Sequence, residues 1–104
     1  MKMLAFTVYD EKAEAYGKPF FTTAIGVASR DFSEAINDGK SLLSKHPEDF
    51  SLYHIGYFDD SQCKFNGNAT PTLIGRGTDY ITNTTDVSRP IRDVKPSTSI
   101  KGDI

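Results

Sequence analysis

Eleven of the twelve aromatic residues in this 104-residue chain precede residue 79. Past that point Thr, Ser, Asp, Pro and Lys dominate, and after Tyr80 and Ile81 the sizeable apolar groups are the isolated Val87, Ile91, Val94, Ile100 and Ile104. Ordering a segment costs conformational entropy that only buried apolar surface offsets. The sequence therefore divides into one domain over residues 1–78 and a polar C-terminal tail over residues 79–104. The tail is expected to be flexible or ordered by a partner, with Arg89, Arg92, Lys95 and Lys101 as contacts. A domain of this length holds a single core.

Patterning within the domain reads as strand, strand, helix, strand, strand. Leu4, Phe6 and Val8 alternate with Met3, Ala5, Thr7 and Tyr9, giving a first strand over residues 3–9. A charged connection runs to Pro19, with Ala13 to Ala15 as a helical turn. The aromatic and β-branched run Phe20 to Ala28 reads as the second strand, with Gly26 as a bulge. Asp31-Phe32-Ser33-Glu34 has the form of a capping box, so a helix is expected from Asp31, buried through Phe32, Ala35 and Ile36 and ended by Gly39. Leu42 and Leu43 continue on a short turn, and Pro47 is placed to begin another. In Ser51 to Asp59, Tyr53, Ile55 and Tyr57 share one face by strict alternation, which puts Ile55 in the core, while a bulge at Gly56 would instead bring Phe58 to the face of Ile55. A polar turn over residues 59–68 leads to a short fourth strand, Pro71 to Arg76, at an edge. The expected class is α+β, a small antiparallel sheet of about four strands with one main helix packed on it.

Composition removes several functions. With 14 acidic against 12 basic side chains the net charge is −2, so indiscriminate nucleic-acid coating of the histone kind is excluded. Cys63 is the single cysteine; it has no disulfide partner and no zinc spacing. The apolar runs are too short for a membrane span and no secretory leader opens the chain. His46 and His54, with Glu48, Asp49, Asp59 and Asp60 nearby, lack metal-ligand spacing, so no metal, cofactor or catalytic residue is assigned. No nucleophile elbow or phosphate loop is present, and a non-enzymatic protein is expected.

The aromatic strands are the remaining signal. Core construction accounts for most of Phe20, Phe21, Tyr53, Tyr57 and Phe58. Tyr53 and Tyr57 are the two best suited to a half-exposed stacking role for single-stranded DNA, with Arg30 and Arg76 as phosphate contacts. These four are the candidate nucleic-acid-binding residues.

The opening strand followed by Asp10 to Tyr16, then Lys18 to Phe21, Gly26 to Phe32, Ala35 to Asp38 and above all Lys45 to Asp60 (KHPEDFSLYHIGYFDD), resembles the small nonstructural protein of gokushoviruses, single-stranded DNA phages of the microvirus group. The resemblance spans residues 1–78. It implies a protein of the infected bacterial cytoplasm, absent from the mature virion and a counterpart of the microvirus C protein, which helps turn replication from duplex to single-stranded genomes. Two classes of action stay open. One is regulation of viral DNA synthesis or packaging by binding single-stranded DNA; the other is a protein-binding adaptor or inhibitor acting on the viral initiator, the assembling capsid or host replication proteins. A homodimer is expected from the edge strands and the aromatic-rich surface of such a chain.

Overall fold

The computed structural model describes residues 1–82, so the contacts expected of Arg89, Arg92, Lys95 and Lys101 lie outside the described residues. The elements are β1 (Lys2–Asp10), β2 (Ala15–Tyr16), β3 (Phe20–Thr22), α1 (Ile25–Ile36), α2 (Leu42–Lys45), β4 (Phe50–Asp59) and β5 (Lys64–Arg76), with single 3-10 turns at Pro47–Asp49 and Gly77–Tyr80. Every strand pairing is antiparallel. The sheet runs β2-β1-β4-β5, with β3 alongside β1 on the same edge as β2. This is the expected α+β class, one main helix on one face of a small antiparallel sheet. Among the described residues no helix is long and apolar enough to cross a membrane.

α1 starts at Ile25, not at Asp31, and shortens the second strand to Phe20–Thr22. The run from Ile25 to Ala28 is β-prone in isolation, yet Ala28, Phe32 and Ile36 recur at four-residue intervals and form one buried stripe. Burial of that stripe outweighs local propensity. Asp31 and Glu34 thus lie inside the helix, facing solvent, and Gly26 sits in the first turn instead of a bulge. Ala24 is the N-cap and offers no side-chain acceptor. Gly39 does adopt the left-handed conformation (φ 75°), but after the helix has already ended at Asn37.

Phe6, Ala28, Phe32, Ile36, Phe50 and Leu52 make the core, with Leu4, Val8, Phe20, Leu43, Ile74 and Tyr80 packed against it. Tyr80 meets the Phe32 ring edge-on at 5.3 Å and lies over Gly75. Asn37 holds the segment in place: its Nδ2 donates to the Tyr80 carbonyl at 2.8 Å, and its Oδ1 accepts from the Thr82 amide at 2.9 Å. The ordered packing therefore reaches beyond residue 78.

β4 carries the irregularity that decides which residues share a face. Ala5 pairs with Gly56 and Phe6 with His54, so Ile55 is an extra residue in β4, a bulge one position before Gly56. Ile55 is partly exposed and outside the core cluster, contrary to the alternation reading. β5 shifts at the same place, Gly67 pairing with Gly56 and Thr72 with His54. Asn68 fills the gap, its Nδ2 donating to the His54 carbonyl at 2.9 Å and to His54 Nδ1 at 3.1 Å. The turn between β4 and β5 is also shorter than expected, because pairing resumes at Lys64 opposite Asp59.

Candidate functional site: the open face of the sheet

In an antiparallel ladder directly paired residues point to the same side. The helix side collects Phe6 with Phe20 and His54, Leu4 with Tyr57, and Val8 with Leu52. The odd-numbered residues of β1 and their partners point the other way, where no helix lies. The first row there runs Tyr16, Tyr9, Ser51, Arg76. The second is Thr7, Tyr53 and Leu73, and the third is Phe21, Ala5, Gly56 and Gly67. Met3, Phe58 and Phe65 close the face. Arg76, at one corner, is the only charged residue in these rows.

The rings on this face touch one another and still meet solvent. Tyr16 lies 4.7 Å from Tyr9 and 5.8 Å from Tyr53, centroid to centroid, and Phe21 meets Phe58 at 6.5 Å. Tyr16, Phe21, Phe65 and Leu73 are 52%, 45%, 49% and 43% exposed. Between the rings Ala5 and Thr7 are buried, the Thr7 hydroxyl donating to the Gly17 carbonyl at 2.8 Å. The Phe65 ring lies across Gly56 and Gly67, taking the space a side chain at Gly56 would need. The Tyr9 phenol is held above its ordinary value of 10.0, first by desolvation and then by the charge of Glu14, with Tyr16, Glu11 and Tyr53 adding.

Of the four residues expected to bind nucleic acid, two meet here. Tyr53 is on the open face and Arg76 at its corner. Tyr57 is on the opposite side of the sheet, displaced there by the bulge at Ile55, where Lys2 Nζ stands 4.8 Å above its ring. Arg30 projects from α1 away from the buried Ala28, Phe32 and Ile36. Sequence reasoning missed Tyr16, Phe65 and Leu73, which lay in stretches read as a connection, a polar turn and a short strand. The signal available was the long polar-apolar run from Lys64, whose Phe65 and Gly67 keep a period of two.

No catalytic constellation forms among the described residues. His46, Glu48 and Asp49 bring one ligand atom each within 4.8 Å of one another at the proline corner, but His46 and Glu48 face solvent. Cys63 is exposed in the hairpin turn at φ 51°. His54 Nε2 is buried without a hydrogen-bond partner, on the helix side of the sheet beside Phe6, while Nδ1 lies 3.1 Å from Asn68 Nδ2.

Residues 3–80 match the family model described as phage ORF5 protein. Protein ORF5 of Chlamydia phage 1 is 36% identical over 69 residues, covering 62% of this chain and 72% of that protein. No solved structure matches. The matched span takes in all five strands, both helices and the Tyr80 turn, which is to say the entire open face and the core behind it. The chain belongs to the phage ORF5 family, the small nonstructural proteins of gokushoviruses in the microvirus group.

Proposed function

We propose that this protein regulates phage DNA synthesis or packaging in the infected bacterial cytoplasm by binding another protein through the open face of its sheet, without turnover. The observation that carries this reading is the composition of that face: tyrosine, phenylalanine, methionine and leucine with one corner arginine. Cores of protein interfaces are enriched in aromatic residues and depleted of charge, and an apolar patch of this extent on a small domain marks a contact surface. Nucleic-acid affinity comes largely from Lys and Arg neutralising phosphates. The open face supplies Arg76, with Lys18 beside the Gly17 carbonyl at its rim, while Glu11 and Glu14 flank the tyrosines. The candidate partners are the viral initiator, the assembling capsid and host replication proteins.

The second reading, single-stranded DNA on the same face, is favoured by the exposed rings of Tyr16 and Phe65. A titration of labelled single-stranded DNA at several salt concentrations separates the two. The protein-binding reading expects no salt-dependent affinity down to low salt. A salt-dependent affinity that Tyr53→Ala weakens by about 1–3 kcal/mol, the usual value of one stacking platform, and whose salt slope Arg76→Ala flattens, overturns it in favour of DNA.

A further inference from the structure

We infer that a second copy of this chain covers the open face, the two sheets packing face to face about a two-fold axis that runs along the strands. This rests on the protein-binding reading above and gives the occupant of the face as a second copy, in place of the viral and host proteins named there. The sequence offers both exposed strand edges and an aromatic-rich surface for a homodimer; the face is the better candidate. β5, the long edge strand, is already protected against pairing by Pro71 in its middle, by the irregular register opposite Ile55, and by Lys64 and Arg76 at its ends. The face has no comparable protection. It is nearly uncharged, so an identical face is an acceptable complement: neither sign is repelled and both copies lose exposed rings together.

The positions of the few charges choose the axis. A two-fold axis along the strands sets the β5 edge of one copy against the β2 and β3 edge of the other, at the same height along the strands. Arg76 shares its row with Tyr9 and Tyr16, so it then meets Tyr16 of the second copy and the adjoining turn that carries Glu14. At the other end Phe65, whose ring leans over Gly56 and Gly67 into the row of Phe21, meets Phe21 of the second copy. A two-fold axis running across the strands would instead place Arg76 over Phe65 of the second copy, next to Lys64, whose register partner Asp59 lies on the helix side of the sheet. Desolvating an unpaired guanidinium is costly, whereas an Arg–Glu pair at the rim of an apolar contact sets register and excludes the alternative. Four strands about 4.8 Å apart and four rows about 6.8 Å apart give a flat footprint on the order of 500 Å² per copy. Side-chain relief enlarges this toward the low end of specific interfaces, roughly 600 Å² per partner. Association is therefore expected at micromolar concentrations.

Sedimentation equilibrium of the full chain at high micromolar concentration tests the inference. The wild type is expected at the mass of two protomers, and Tyr16→Asp, a change at a half-exposed ring, is expected to give the mass of one with an unchanged circular dichroism spectrum. Arg76→Glu is expected to raise the dimer dissociation constant by about tenfold or more, and the exchange Arg76→Glu with Glu14→Arg to restore it. A one-protomer mass for the wild type overturns the pairing, as does a dimer that a folded Tyr16→Asp chain retains. A dimer lost in Arg76→Glu but not recovered in the exchange variant overturns the assigned axis. The protein-binding reading fails separately, by a salt-dependent DNA affinity, so a monomeric chain that ignores DNA sinks this inference alone.

Discussion

Gly56 and Gly77 are fixed by what surrounds them. Gly56 has φ 155°, and a Cβ there would press on the Asn66 carbonyl oxygen and come within 2.9 Å of the Phe65 ring. Gly56→Ala is expected to cost about 1–3 kcal/mol, the range for a backbone held in a sparsely populated region, read as a lower midpoint in urea unfolding. Gly77 is limited by contact alone: a Cβ would meet the Pro47 carbonyl oxygen and approach Ile36 Cδ1 at 2.9 Å. Neither role is legible in the sequence, since both neighbours are distant along the chain. Two aspartates can be followed by pH. Asp38 is held below its ordinary value of 3.8 by the backbone amides of Ser41 and Lys40, and Asp59 below the same value by the Ser61 hydroxyl and amide. A depressed folded-state value means that the stabilisation is present above the ordinary value and is lost as pH falls through the folded one. Melting midpoints are therefore expected to drop on acidification below 3.8, and Asp38→Ala with Asp59→Ala to flatten that acid limb. An identical limb in the double variant would assign the acid loss to other groups.

At the scale of elements, α1 shows where local signals mislead. Its N-cap, Ala24, has the extended backbone of a cap and no acceptor for the free amides of the first turn. Ala24→Ser is expected to stabilise the protein by about 1 kcal/mol. Gly26→Ala is expected to add about 0.5–1 kcal/mol, because the glycine sits in a helix with open space around its Cα. Thermal midpoints that fall in both variants would contradict the helix start at Ile25. The capping box at Asp31 was a true local pattern placed inside a longer helix, since the stripe of Ala28, Phe32 and Ile36 continues through it. The turn at Gly77–Tyr80 carries the opposite lesson. Tyr80 falls where aromatic residues run out, yet it packs on Phe32 and Gly75 and is tied down by Asn37. Replacing Tyr80 by Ala should cost about 3–5 kcal/mol, as aromatic-to-alanine core changes do, and a midpoint unmoved by the change would place the domain boundary back before residue 79.

Over the whole molecule, the two-sidedness of the sheet governs what the protein can bind. One side is closed by α1; the other leaves a tyrosine end and a phenylalanine end in solvent, joined by Ala5 and Gly56. On the proposed reading, charge reversal at Arg76 and deletion of a ring at Tyr16 or Tyr53 are expected to act on binding far more than on folding, because none of the three belongs to the core. An unfolding free energy within about 0.5 kcal/mol of wild type is expected for Tyr16→Ala, as for surface changes generally. The α+β class, β1 and β4 nearly to their ends, the turns at Leu42 and Pro47, and the concentration of apolar material before the polar tail are all legible in the residues, because they follow from local periodicity and from proline and glycine chemistry. Tertiary structure decided the start of α1, the length of β5 and the separation of Tyr53 from Tyr57. Each depends on a partner far along the chain: the core stripe for α1, the β4 ladder for β5, and for the tyrosines one extra residue at Ile55, which reverses the face of every side chain after it; Gly56 offers a bulge in the sequence, but the strand it fails to pair with decides whether one forms.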